Sequence, residues 1–262
     1  MRSAQDFPWN WAAIGVLAMA TMVGGATEAA ELKVLSASAL KPVLPELAEA
    51  FRRESGHSVT LSFATAGEVE KRLVAGEALD AVVVTDIAAG KLTGQGLIPQ
   101  GAHGIIARVG VGIGVREGAP KPDIGSTEAL KQVLLGAKSV TYPDPARGGA
   151  SGIHFNNVIE RLGIAEPIRQ KAVLGANPDF VCVAVAKGEV ELCVHQISEI
   201  MPVAGVTLVG PLPKDVQRVT TFAVAVSARA NEAEAARAFL AFVSRAEFKA
   251  AFAKAGLDHR VD

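Results

Sequence analysis

Ser139-Val140-Thr141-Tyr142-Pro143-Asp144-Pro145-Ala146-Arg147-Gly148-Gly149-Ala150-Ser151-Gly152-Ile153, running on into His154-Phe155-Asn156-Asn157-Val158-Ile159-Glu160-Arg161-Leu162-Gly163, is the stretch from which the rest of the chain can be organised. A short β-type run breaks at two prolines, bends through glycines and enters an amphipathic helix. The first turn of such a helix has backbone N–H groups without partners inside it, and these attract anions. A nucleotide loop is excluded, because no lysine follows these glycines as the Walker pattern requires. The cation here is Arg147, placed before the helix, so an anion would be held by N–H groups, the Ser151 hydroxyl and an arginine fork. The same residues also suit a plain turn in which Gly148, Gly149 and Gly152 make the bend and Ser151 caps the helix. The segment by itself fits both readings.

Toward the N-terminus the same unit recurs. Leu32-Lys33-Val34-Leu35 is a short strand, and after Ser36-Ala37-Ser38-Ala39 the residues Leu40, Val43, Leu44, Leu47 and Phe51 repeat at helical spacing up to Gly56. Val59-Thr60-Leu61-Ser62-Phe63 is a second strand, Ala64-Thr65-Ala66-Gly67 a second loop, and Val69 and Leu73 mark a second helix ending at Gly76. Ala81-Val82-Val83-Val84 is apolar throughout, which suits burial on both faces of a parallel sheet. Strands alternating with helices predict an open α/β sheet.

Residues 104–115 and 219–226 are two long β stretches with a complete set of α/β elements between them. Two lobes joined by a double crossover require such a pair. Helices over 232–242 and 247–255 then return to the first lobe. The expected lobes are 31–108 plus 225–262, and 109–224. Sheets of this kind bind ligands where loops meet helix N-termini at the carboxyl ends of strands. Four loops qualify, at 36–39, 64–67, 146–152 and 175–179, all rich in small residues and poor in charge. Each alone is an ordinary β–α turn; their recurrence favours a site for a compact anion held by neutral dipoles.

Residues 11–25 form an apolar run followed by Ala26-Thr27-Glu28-Ala29-Ala30, which reads as a secretory signal over residues 1–30 with a small-residue cleavage region. The run is too short for a comfortable membrane span. Cleavage near Ala30 removes Arg2, Asp6 and Glu28 and leaves equal numbers of basic and acidic residues. That balance does not favour nucleic acid, so attraction for an anion must be local. Residues 31–262 suffice for one large domain or two lobes around an apolar core. The two cysteines, Cys182 and Cys193, do not form a disulfide framework, although an exported setting permits one bond; two buried free thiols are the other reading.

The chain resembles the periplasmic molybdate-binding family of type 2 solute-binding proteins, which deliver oxyanions to ABC importers. The resemblance is carried by residues 34–40 opening the first helix, by 61–67 opening the second, by Asp144-Pro145 with Ser151-Gly152-Ile153, and by Val185-Ala186-Lys187-Gly188-Glu189-Val190-Glu191. It covers essentially the whole mature chain. It implies an α/β fold of two lobes, each an open mixed sheet flanked by helices, with the ligand cleft between them. It also implies a small anionic ligand, a membrane permease as partner, a monomer, a periplasmic location, and neither cofactor nor metal. The serine hydroxyls that contact the oxyanion in that family fall here on Ala39 and Ala66, with Ser38 and Thr65 one residue earlier. The family's backbone contact at the third helix falls near Ser151 and Gly152. Its fourth-loop contact falls near Pro178, which has no N–H, so Asn177 and Asp179 are the neighbours that remain. The family's tyrosine falls on or beside Gln196. Two missing hydroxyl donors cost on the order of 1.5–3 kcal/mol each against a dianion unless replaced.

Arg147 and Gln196, with His195 beside it, offer replacements suited to a carboxylate. Two ligands therefore stand side by side: a molybdate- or tungstate-like oxyanion, and a small organic acid. Arg147 as a solvated loop charge and His195 as a core histidine are the plainer readings of those residues. Catalysis is not expected, because the chain has neither a Gly-x-Ser-x-Gly elbow nor a His-Glu-x-x-His helix, and its five histidines lack ligand spacing. A ligand-sensing partner of a membrane receptor is the remaining alternative.

Overall fold

The computed structural model describes residues 29–175 and 178–259. Nearly all of the expected signal segment, and Asn177, lie outside the described residues. The chain opens with three β–α units: β1 (Glu31–Ala37) and α1 (Leu44–Ser55), β2 (Ser58–Ala64) and α2 (Ala66–Val74), β3 (Ala81–Thr85) and α3 (Asp86–Gly94). The long strand β4 (His103–Arg116) leads to α4 (Thr127–Gly136), β5 (Val140–Pro143), α5 (Ala150–Arg161), α6 (Ala165–Arg169), β6 (Ala172–Gly175), α7 (Pro178–Ala186), β7 (Leu192–Gln196), α8 (Ile197–Ile200) and β8 (Val206–Pro211). The chain returns through β9 (Val219–Val226), α9 (Ala233–Val243), α10 (Lys249–Lys254) and β10 (Asp258–His259).

Strand order is β2-β1-β3-β9-β4-β7-β5-β6, with β8 and β10 also paired to β4. β1 runs parallel to β2 and β3, and β5 runs parallel to β6 and β7, whereas β9 is antiparallel to both β3 and β4. Both halves are therefore mixed sheets. β4 belongs to both: His103 to Gly110 pair with β9, and Val111 to Val115 pair with β7. Its length follows from this double membership, since one strand must supply ladder partners to two sheets.

The apolar runs read from sequence are buried on both faces. Val34 and Val83 enter one core with Phe51 and Phe239, while Leu35, Val82 and Val84 enter another with Val69 and Leu73. Phe51 meets Phe239 edge-on at 5.3 Å and Phe242 at 5.4 Å, and burying each such ring stabilises the fold by about 1.5–3 kcal/mol. In the second half, Ile113, Tyr142, Phe155 and Val194 share a core, and Val181, Cys182, Val185, Cys193 and Ile200 form a smaller one beside it.

One local expectation changes. The helical spacing from Leu40 does not start an α-helix there: Ser38–Leu40 is a 3-10 turn and α1 begins at Leu44. Pro42 has no N–H for a ladder, while Pro45 fits the first turn of α1, where that donor is not needed. The loop after β1 is thus held close to the strand end, where a ligand would lie.

Candidate functional site

The carboxyl ends of β1, β2, β5 and β7 converge on a narrow cleft with a free volume of about 20 Å³. It is lined by Ser38 and Ala39, by Thr65 and Ala66, by Ser151, and by His195, Gln196 and Glu199. Six of the residues expected from sequence, Ser38, Ala39, Thr65, Ala66, Ser151 and Gln196, are therefore brought together. Three are not, and Asn177 lies outside the described residues: Arg147 is exposed and absent from the lining, and Asp179 is exposed and paired with Lys41. Gly152 serves packing: a Cβ there would fall 1.9 Å from the carbonyl oxygen of Pro143, so only glycine lets α5 lie this close to β5.

On the first wall the hydroxyls are already engaged. Ser38 Oγ donates to the Ala64 carbonyl at 2.9 Å. Thr65 caps α2 by accepting from Glu68 N–H at 3.2 Å, and its hydroxyl donates across the cleft to the Arg147 carbonyl at 2.6 Å. The walls also touch where Gly67 N–H donates to the Gly148 carbonyl at 3.1 Å. A Cβ on either glycine would come within 2.8 Å of the other's Cα. At another point Lys41 Nζ reaches both carboxylate oxygens of Asp179 at 2.8 Å. Two loop contacts and an ion pair thus close the cleft.

The second wall differs. α5 is capped by Gly149 without a side-chain bond, so Ser151 is not its cap. Ser151 Oγ instead lies 3.3 Å from His195 Nδ1. That nitrogen also meets Gln196 N–H at 2.8 Å and Glu199 Oε2 at 3.1 Å. A neutral ring with its hydrogen on Nε2 accepts at Nδ1 from Gln196 N–H and the Ser151 hydroxyl; an imidazolium donates from Nδ1 to Glu199. In both forms Nε2 carries a hydrogen, and Nε2 is buried without a hydrogen-bond partner. Gln196 Nε2 donates to Thr220 Oγ1 at 3.3 Å, while Gln196 Oε1 is buried and unpartnered. Buried polar atoms left unpaired cost about 1–3 kcal/mol each, so this wall is built to receive polar atoms from elsewhere.

A larger recess shares Ala66 and Ala150 with the cleft and is lined by Thr85, Thr220, Thr221 and Arg218. Arg218, itself exposed, lines this adjoining recess, whereas Arg147 lines neither space. Glu199 and Arg218 escaped sequence reading. Glu199 follows His195 by one helical turn, a spacing visible in the chain, whereas nothing local marks Arg218. Among the described residues, no group of three or more His, Cys, Asp or Glu is placed to hold a metal, and no helix is long and apolar enough to cross a membrane.

A closed cleft between two mixed sheets, floored by strands and rimmed by helix N-termini, defines a solute-binding architecture. The model of the bacterial extracellular solute-binding protein family matches residues 32–258, and the chain belongs to that family. An aconitate isomerase from a Pseudomonas species is 30% identical over 253 residues, covering 94% of each chain. Among solved structures, the periplasmic molybdate-binding protein of Azotobacter vinelandii superposes with a TM-score of 0.71 at 20% identity, over 86% of this chain and 98% of that one. The sulfate-binding protein SubI of Mycobacterium tuberculosis gives 0.69 at 18% identity, over 87% and 86%. At these identities the two structures establish the fold, that of a two-lobe periplasmic binding protein.

Proposed function

We propose that this protein is exported, captures a small di- or tricarboxylate between its lobes as a monomer, and presents the closed form to the permease of an ABC importer. The observation that carries this reading is the makeup of the second wall: the unpartnered Nε2 of His195 and the Gln196 amide stand beside a carboxylate, Glu199, whose side chain is only 12% exposed. A compact oxyanion dianion would meet that charge at close range in a desolvated cleft, with Ala39 and Ala66 where hydroxyl donors would help. A carboxylate is longer and spreads its charge, so one end can take the His195 Nε2–H while another reaches the recess at Arg218. The name of the 30%-identical relative, which refers to a tricarboxylate, supports the same ligand class. The strand pairing supports a hinge where β4 passes from one sheet to the other at Gly110 and Val111 and where β9 begins at Val219. On that basis the return boundary between lobes lies before residue 225.

A thermal-shift panel on the mature chain tests the ligand class, with molybdate, tungstate, sulfate and phosphate set against mono-, di- and tricarboxylates. A ligand at about a hundred times its Kd adds roughly 2.7 kcal/mol, a shift of about 5–10 °C. Shifts confined to carboxylates support the reading, and shifts confined to oxyanions overturn it.

A second reading, that the cleft also transforms its ligand, is favoured by one arrangement. Ser151, His195 and Glu199 form a hydrogen-bonded set inside the cleft, with contacts of 3.3 and 3.1 Å. Isomerising an unsaturated tricarboxylate requires only that a base take a proton from the allylic carbon, that the double bond shift, and that the proton return at the other end. His195 in the tautomer that carries its hydrogen on Nδ1, donated to Glu199, would offer a bare Nε2 as such a base and acid. Proton NMR of aconitate in D2O checks this: turnover with deuterium uptake, lost in Glu199→Gln while binding persists, identifies an enzyme. Binding without deuterium uptake identifies a carrier.

A further inference from the structure

Cys182 and Cys193 are the two cysteines of the chain, and their sulfurs lie 2.7 Å apart. Cys182 is on α7 and Cys193 on β7, and both are buried, at 2% and 0% exposure. Val181, Ala184, Val185, Val190 and Ile200 pack in the same apolar cluster. A disulfide needs about 2.05 Å between sulfurs, so a few tenths of an ångström of side-chain adjustment joins them. We propose that Cys182 and Cys193 form a disulfide in the exported protein, stapling helix α7 to strand β7 beside the binding cleft.

The position gives the bond its consequence. β7 continues from Cys193 directly into His195 and Gln196 on the second wall, and α7 carries Asp179, which pairs with Lys41 of the first. Cys182 lines a recess with Lys41, Asp179 and Glu199. The staple thus ties the rim that closes the cleft to the strand that supplies its polar floor. Two thiols give up two protons and two electrons to the disulfide of an oxidising dithiol protein, which leaves as a dithiol after a mixed-disulfide step. The hydrogen bond to Cys193, and then burial, raise the Cys182 thiol far above the ordinary range. A folded thiol of this kind is a poor nucleophile, so the bond forms while the chain folds, before these side chains are covered.

The proposal rests on export to an oxidising compartment, and one experiment separates the two. Lys187 lies between the cysteines, so trypsin places Cys182 in residues 172–187 and Cys193 in 188–214. Protein alkylated at cell lysis and digested without reductant is expected to yield these peptides as one species, lighter by two hydrogens than their sum, which separates on reduction. Both peptides recovered singly and alkylated from protein in the exported fraction overturn the disulfide; a chain retained in the cytosol overturns the export on which it rests. In intact protein, reduction is expected to lower Tm by about 5–10 °C, and Cys182→Ala/Cys193→Ala removes that dependence. A Tm unmoved when the peptides have been separated overturns the staple.

Discussion

The two walls of the cleft are made of similar loops and do different work. On the first, Ser38 and Thr65 spend their hydroxyls on Ala64, Glu68 and Arg147, so the wall is satisfied without a ligand. On the second, His195 Nε2 and Gln196 Oε1 are buried without partners. The first wall carries contacts that join the two lobes, and the recognition proposed above falls to the second. A resemblance that transfers oxyanion contacts to the first two loops therefore points at residues whose donors are already in use. Specificity follows the wall with unmet hydrogen bonds, because a ligand gains most where it ends an existing desolvation penalty.

His195→Ala gives the largest expected effect. It should weaken ligand binding by roughly 10- to 100-fold, the loss for a hydrogen bond to a charged group, measured by calorimetry with the ligand the panel identifies; an unchanged Kd would move recognition to the other wall. Next comes Gly67→Ala, whose Cβ would press on Gly148 at 2.8 Å from its Cα. It should lower affinity by about tenfold by obstructing closure, with little change in the Tm of the unliganded protein. Thr65→Ala removes both a cap and a link across the cleft, so it should reduce stability by about 1 kcal/mol and affinity only two- to fivefold. A loss in Thr65→Ala as large as that in His195→Ala would erase the distinction between the walls.

The smallest expected effect lies outside the cleft. Burial holds the His154 imidazole below its ordinary pKa, partly opposed by its hydrogen bond to the Val216 carbonyl at 2.8 Å. His259, stacked on Phe252, is shifted down for the same reason. The unfolded chain takes up protons at these sites as pH falls through about 6.5, while the folded chain resists. Their stabilising contribution is therefore complete above that pH and is lost below it as the folded groups approach their own lower pKa. Tm should drop by about 2–4 °C between pH 7 and pH 5, and His154→Gln should flatten part of that slope and leave the part due to His259.

Much of the fold could be read along the chain. The continuous apolar run at residues 81–84 required burial on both faces, and the structure places its alternate residues in separate cores. The paired long strands marked the passage between halves. Local chemistry misled at Ser151, where a cap was a fair reading; the hydroxyl turns instead to His195, 44 residues away. It misled again at Arg147, whose backbone carbonyl, rather than its guanidinium, takes part in the contacts across the cleft.

What the sequence by itself determined is the order of β–α units and the small-residue loops at strand ends, since these depend on periodicity and turn chemistry within a few residues. Only the tertiary structure decided which polar atoms remain without partners, that Arg218 rather than Arg147 lines the recess beside the cleft, and that Cys182 meets Cys193. Those facts depend on where segments far apart in the chain exclude water together, and desolvation is a property of that packed neighbourhood, not of any residue read alone.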